Sequence, residues 1–185
     1  MLKRTEEPSE EQIVEAAQNG HLDSFAALYN RYYSSMAALA YSVLADTQLS
    51  EDAAQETFAI ACRDLPKLKS KDKFAAWLAG ICRNIARQMY RSKDGHVALN
   101  EIAPAQDKDD KQQCRDVVQQ ALRKLRPFER EPVVLRYYNG LSHAEISGIL
   151  GISTQAVHGR LTRVKRKIAK YLKRNGFIGS DYEST

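Results

Sequence analysis

Residues 140–161 read Gly-Leu-Ser-His-Ala-Glu-Ile-Ser-Gly-Ile-Leu-Gly-Ile-Ser-Thr-Gln-Ala-Val-His-Gly-Arg-Leu, and this order leaves few folds open to the last third of the chain. Ser142 with Glu145 three residues on is a capping box, in which each side chain satisfies a backbone N–H left unpaired in the first helical turn. Ile146, Ile149 and Leu150 fall on one face of the helix so begun. Gly151 supplies a permissive backbone at its exit, and Ser153 caps a second helix. Two helices joined by a turn of about three residues form a helix-turn-helix, a geometry that presents its second helix to a nucleic-acid groove.

The second helix divides into two faces. Val157, Leu161, Val164, Ile168 and Leu172 follow helical spacing and point inward. The opposite side carries Gln155, His158, Gly159, Thr162, Arg163 and Arg166, with Ser153 and Thr154 at its polar start. These reach base edges. Arg160, Lys165, Lys167, Lys170, Lys173 and Arg174 flank or extend that side, where long cationic side chains meet phosphates.

Charge follows the same division. The chain has 185 residues and a net charge of +5, yet residues 115–174 hold fourteen Lys or Arg against four Asp or Glu, so the remainder is net acidic. The basic part suits a polyanion, and the acidic part suits a basic protein surface. No apolar run approaches the ~20 residues needed to cross a bilayer, and Met1 to Gln12 lacks the apolar core of a signal peptide. These features predict a cytoplasmic protein without membrane insertion. Cys62, Cys82 and Cys114 form no CxxC pair and read as buried, reduced thiols, with Cys114 beside a polar segment the one to suspect of exposure.

Helical periodicity covers most of the chain. Ser9 and Gln12 are spaced as a capping box for a short helix stopped by Gly20. A longer helix from about Asp23 to Ala45 lines one side with Phe25, Leu28, Tyr29, Tyr32, Met36, Leu39 and Val43. A third starts at Ser50 or Glu51 and runs to about Leu65, and Pro66 with Lys67 to Lys73 makes a loop. A fourth carries Phe74, Trp77, Leu78, Ile81, Ile85 and Met89 inward and leaves Arg83, Asn84, Arg87, Gln88 and Arg91 outside. Trp77, Tyr32, Tyr33 and Tyr41 read as core rather than as stacking platforms. Periodicity fails over residues 92–113, a linker of about twenty residues. It returns with Val117, Val118, Ala121, Leu122 and Leu125, and again after Pro132 with Val133, Val134 and Tyr137. The pattern predicts an all-α protein of two small helical domains, 1–91 and 114–174, joined by a flexible linker and followed by a flexible tail, 175–185. The second domain has four helices, the helix-turn-helix included.

Three blocks carry a family resemblance: Asp52-Ala53-Ala54-Gln55-Glu56-Thr57-Phe58; Phe74-Ala75-Ala76-Trp77-Leu78 followed by Ile81-Cys82-Arg83-Asn84; and the helix-turn-helix ending Val157-His158-Gly159-Arg160-Leu161. In this order and spacing they resemble the signatures of the extracytoplasmic-function (ECF) sigma factors of bacterial RNA polymerase, over roughly residues 10–173. The resemblance implies two helical domains without the extra domains of housekeeping sigma factors. It further implies binding to polymerase core enzyme at the clamp helices of the largest subunit and at the flap region, recognition of duplex and melted promoter DNA, and restraint by an anti-sigma protein.

What the resemblance assigns agrees with the residues. Glu51, Asp52, Gln55, Glu56 and Phe58 are the candidate contacts to core polymerase; Phe58 anchors either that contact or the core beneath it. Lys69, Lys71 and Lys73 with Arg83, Asn84 and Arg87 are the candidates for the melted minus-ten strand, since single strands need cations for the backbone and a polar group that reads a flipped base. Asn84 stands where the family borders the pocket for that base. Ser153, Thr154, Gln155, His158, Gly159, Arg160, Thr162, Arg163 and Arg166 are the candidates for the minus-thirty-five element. Two positions depart from the family pattern, Gly80 where a basic residue is common and Cys62 where an aromatic is common. The four histidines are scattered and no Gly-rich phosphate loop occurs, so neither a metal, a cofactor nor an enzyme active site is expected. The competing readings are a free-standing helix-turn-helix regulator of duplex DNA and a recombinase or nuclease targeted by such a domain.

Overall fold

In the computed structural model, residues 8–92, 120–122 and 124–176 are described. The chain separates into two compact units, Met1–His96 and Val97–Thr185. Ser92, the first residue of the linker expected over 92–113, is helical, and the rest of that linker, Cys114 and nearly all of the expected tail lie outside the described residues. Among the described residues every regular element is a helix, and no helix is long and apolar enough to cross a membrane.

The first unit contains α1 (Glu10–Gln18), α2 (Leu22–Leu44), α3 (Thr47–Asp64) and α4 (Phe74–Ser92). Ser9 and Gln12 close α1 with the expected capping box. α3 begins a turn earlier than the hydrophobic pattern indicates, because Asp46 accepts a hydrogen bond from the Leu49 N–H at 3.1 Å and so caps the helix before Thr47. Only Ala45 and Asp46 separate α2 from α3, and Ala45 takes the left-handed conformation (φ 53°), the one non-glycine residue to do so among those described. Between α3 and α4 the expected loop contains two short 3₁₀ turns, Leu65–Lys67 and Lys71–Lys73.

α2, α3 and α4 pack against one another around Leu28, Met36, Leu39, Leu44, Phe58, Phe74 and Leu78, all buried. Phe58 is 3% exposed, with its ring 4.7 Å from Tyr29 and 6.5 Å from both Phe25 and Tyr33. α4 differs from its predicted orientation. Ala79, Cys82 and Ala86 are fully buried, whereas Trp77, Ile81 and Met89 are half-buried. Two helices grip α4, small residues at its centre admit both, and the buried arc widens enough to take in Arg83, which is only 9% exposed. Cys82 donates to the Met36 carbonyl at 3.3 Å, and burial pushes its thiol up to about 11.

The second unit contains α5 (Pro127–Tyr137), α6 (His143–Leu150) and α7 (Thr154–Arg174), around Leu125, Val133, Val134, Leu135, Leu141, Ile146, Val157, Leu161 and Val164. Of the helix expected around Val117 to Leu125, Gln120–Leu122 are described and helical, whereas Lys124 and Leu125 already lie in the turn that leads to Pro127. α5 starts five residues before Pro132: Pro127 occupies the first turn, where its missing N–H has no helical partner to lose, and Pro132 is carried inside the helix. Tyr137, placed inward by its spacing, is 56% exposed. It is the last helical residue, where packing neighbours run out, and its ring lies 5.9 Å from the Lys165 ammonium.

Candidate nucleic-acid and protein-binding surfaces

The first unit carries two polar surfaces and the second unit one, each built within its own unit. On α3 the exposed residues Glu51, Asp52, Gln55 and Glu56 are continued by Ala59, Cys62 and Arg63 along one side, while Ala53, Ala54, Thr57, Phe58 and Ala61 are buried on the other. Among the described residues no cation pairs with Glu51, Asp52 or Glu56, so the face is an uncompensated negative strip. Phe58 belongs to the core beneath that strip and not to its surface. Cys62, expected to be buried, is exposed. It lies seven residues, two helical turns, beyond Gln55, so the acidic stripe itself carries it outward; that spacing was the available signal.

The loop between α3 and α4 and the outer face of α4 form the second candidate surface of this unit. Lys69 and Lys73 are exposed. Lys71 is committed to Glu15 of α1 at 2.6 Å, and Lys67 to Asp64 at 2.6 Å. Hydrogen bonds from Arg63 and Lys67 hold the Asp64 carboxyl below the usual carboxylate range. Asn84 and Arg87 are exposed on α4, whereas Arg83, one turn before Arg87, is buried at 9% exposure. Trp77 stands two helical turns before Asn84 on the same side, half-buried, its ring 5.9 Å from Phe74. It therefore borders this surface instead of lying wholly within the core. Between them is Gly80, where an added Cβ would meet nothing within 4 Å.

In the second unit the turn is built as the sequence requires. The Ser142 N–H donates to Glu145 Oε2 at 2.8 Å and the Glu145 N–H to Ser142 Oγ at 3.3 Å. Gly151 takes φ 67°, a conformation that favours glycine, and its N–H closes α6 on the Ser147 carbonyl at 2.9 Å. The Ser153 hydroxyl accepts from the Ala156 N–H at 3.2 Å and opens α7. Val157, Leu161 and Val164 are buried beneath, which turns Gln155, His158, Arg163 and Arg166 to solvent. Ser153 and Thr154 are exposed, and Gly159, Arg160 and Thr162 are half-buried at the margins.

Several of these side chains are already ordered. Arg163 Nε donates to the Gly159 carbonyl one turn back at 3.1 Å. The Arg160 guanidinium sits 5.9 Å from the Phe128 ring of α5. His143 and His158 meet edge to face at 5.8 Å where α6 crosses α7. Lys167 forms an ion pair with Glu129, which also accepts from the Arg126 N–H at 3.2 Å; the Lys167 hydrogen bond holds the Glu129 carboxyl below its ordinary range. Lys167 thus braces α5 instead of standing free for a phosphate, a pairing 38 residues apart that spacing does not reveal. Among the described residues no cluster of His, Cys, Asp and Glu is placed to hold a metal ion.

The two units match two successive family models, Sigma-70 region 2 over residues 28–95 and Sigma-70, region 4 over residues 115–168. Together the matches span well over half of the chain. It is 28% identical over 171 residues to the ECF RNA polymerase sigma factor BldN of Streptomyces coelicolor, a match covering 87% of this chain and 65% of that protein. It is likewise 28% identical over 178 residues to the ECF RNA polymerase sigma factor SigW of Bacillus subtilis, covering 86% of this chain and 95% of that one. The chain belongs to the ECF sigma factors. The sigma factor also shares its fold with CnrH, a Cupriavidus metallidurans sigma factor solved in complex with the cytosolic domain of CnrY, at a TM-score of 0.65 and 27% identity over 90% of this chain and 99% of that one. Sigma factors are transcription initiation factors that direct RNA polymerase to promoters, and are not themselves enzymes. The region 2 match covers most of the first unit, leaving the free-standing regulator and the targeted recombinase without support.

Proposed function

We propose that this sigma factor docks on core RNA polymerase through Glu51, Asp52, Gln55 and Glu56, captures the melted minus-ten strand with Lys69, Lys73, Asn84 and Arg87, and reads the minus-thirty-five element with the outer face of α7. The observation that carries this reading is the strip on α3: three carboxylates in under two turns, exposed and uncompensated, constitute a surface whose free energy falls when a basic partner covers it. The clamp helices of the largest subunit are that partner, and the flap region receives the second unit. The chain works in the cytoplasm, uses no cofactor and leaves catalysis to the polymerase. CnrH was solved with a polypeptide partner, and an anti-sigma protein is the corresponding restraint on this chain.

The test uses purified full-length protein, core enzyme and a promoter it transcribes. Asn84→Ala lowers open-complex formation more than initial promoter binding, because its amide meets a base only after the strands part. Equal loss in both assays, or none in either, removes Asn84 from strand capture; failure of the protein to bind core at all rejects the whole reading.

A further inference from the structure

The loop that carries Lys69 and Lys73 does not hold its own shape. Its two 3₁₀ turns supply few internal bonds, among them the Leu68 N–H to the Leu65 carbonyl at 3.0 Å and the Lys73 N–H to the Ser70 carbonyl at 3.1 Å. The buried Leu65 side chain and the Lys67–Asp64 ion pair add to these, and the carbonyls of the loop are held by α1. Gln18, the last residue of that helix, spends both protons of its side-chain amide on this segment, with Nε2 2.9 Å from the Leu65 carbonyl and 2.8 Å from the Leu68 carbonyl. One turn earlier Glu15 holds Lys71 at 2.6 Å. At the other end of α1, Glu10 accepts from the Tyr32 hydroxyl at 2.6 Å, and the Tyr32 ring lies 5.5 Å from Phe74, the first residue of α4.

We infer that Gln18 is a positioning residue for promoter strand capture: by binding two loop carbonyls it turns the polar backbone of residues 65–68 toward α1 and fixes the opposite, cationic side of the loop toward the nucleic acid. The inference rests on the proposed role of the loop and the α4 face in binding the melted strand. Its physical basis is preorganisation. A flexible loop must be ordered when a strand binds, and a loop already ordered avoids that cost. Two carbonyls left pointing outward would also place negative oxygens beside phosphates. Gln18 itself touches no nucleotide in this scheme.

The experiment uses the full chain bound to core polymerase and a fluorescent single-stranded oligonucleotide carrying the non-template minus-ten sequence. Gln18→Met keeps length and removes the donors; Gln18→Glu keeps shape and turns acceptors toward two carbonyls; Gln18→Lys restores donors. The Met and Glu variants weaken strand capture by about tenfold, the scale of one or two lost hydrogen bonds, with core affinity nearly unchanged and the thermal midpoint lowered by only a few degrees, and Lys recovers most of the loss. Met and Glu variants that capture the strand as well as the parent overturn the inference, as does a parallel fall in core affinity, which marks a role in folding alone. Lys69→Ala with Lys73→Ala, measured alongside, separates the layers. If that pair weakens capture while the Gln18 variants do not, only the role of Gln18 fails; if the pair has no effect, the reading of the loop fails with it.

Discussion

Arg163→Ala should cost this sigma factor roughly 2–3 kcal/mol on its preferred minus-thirty-five sequence, the upper part of the ~1–3 kcal/mol range for a bidentate side-chain contact to a base. The upper part applies because of geometry in the free protein. Arg163 Nε already donates to the Gly159 carbonyl at 3.1 Å, so the guanidinium is partly ordered while its two terminal nitrogens keep their donors for a base. Much of the ~2 kcal/mol of rotamer entropy that a mobile arginine would lose on binding is then lost before DNA arrives. At 1.4 kcal/mol per decade the expected loss is roughly 30- to 150-fold, and it should vanish on duplexes whose minus-thirty-five bases are scrambled. Lys170→Ala is the contrast. It lies fifteen residues beyond Gln155, roughly 22 Å along the axis, past a groove about 12 Å wide, so its loss should weaken all sequences alike and reduce the salt slope by about 0.9. The assay is promoter binding by holoenzyme to matched and scrambled duplexes across a salt series. If Arg163→Ala weakens both duplexes equally and flattens the salt slope, the outer face of α7 does not lie in the groove as argued.

Three further outcomes follow from the surfaces. Asp52→Lys with Glu56→Lys should reduce affinity for core polymerase a hundredfold or more, since close charge pairs at interfaces couple by about 1.5 kcal/mol or more each, while circular dichroism stays unchanged because both side chains are exposed; undiminished binding in a core titration would take α3 out of the interface. Gly80→Arg should raise stability by up to about 1 kcal/mol, as a helical glycine is replaced where the new side chain meets open space. It should also steepen the salt dependence of open-complex formation by about 0.9, and a lowered melting temperature would show that the space is not free. Glu129 is held below its ordinary pKa by Lys167, so its contribution to stability is complete above about pH 4.3 and is lost as pH falls through its folded-state value. Acid titration of unfolding should therefore show a milder slope in Glu129→Gln than in the parent, and identical slopes would assign the acid sensitivity elsewhere.

Local rules carried most of the fold. The caps at Ser9, Ser142 and Ser153 and the left-handed Gly151 depend on neighbours within a few residues, and all appear in the structure as their spacing implies. Misplacements arose where a second helix changed the outcome. Arg83 lies on the polar side of α4 when one apolar stripe is assumed, but two packed helices widen the buried arc and enclose it. Residue type places Cys62 inward, although its spacing from Gln55 puts it on the exposed strip. Pro132 suggested a boundary because proline breaks most helices, yet α5 runs through it. Lys71 and Lys167 resemble free cations in sequence and are paired with Glu15 and Glu129 in space. Gln18, bonded to carbonyls 47 and 50 residues away, had no local pattern to disclose it.

The joint between α2 and α3 has a mechanical consequence. Its two residues, Ala45 and Asp46, leave no slack: Ala45 is bent into a left-handed backbone that costs an alanine roughly 1–2 kcal/mol, and Asp46 starts the next helix at once. A longer, glycine-containing connection would relieve that strain and allow the second helix to swing. Instead the two helices behave as a single stiff hairpin. Whatever grips the acidic strip meets a surface whose direction is already set by the short joint and by the packing of α3 on α2 and α4.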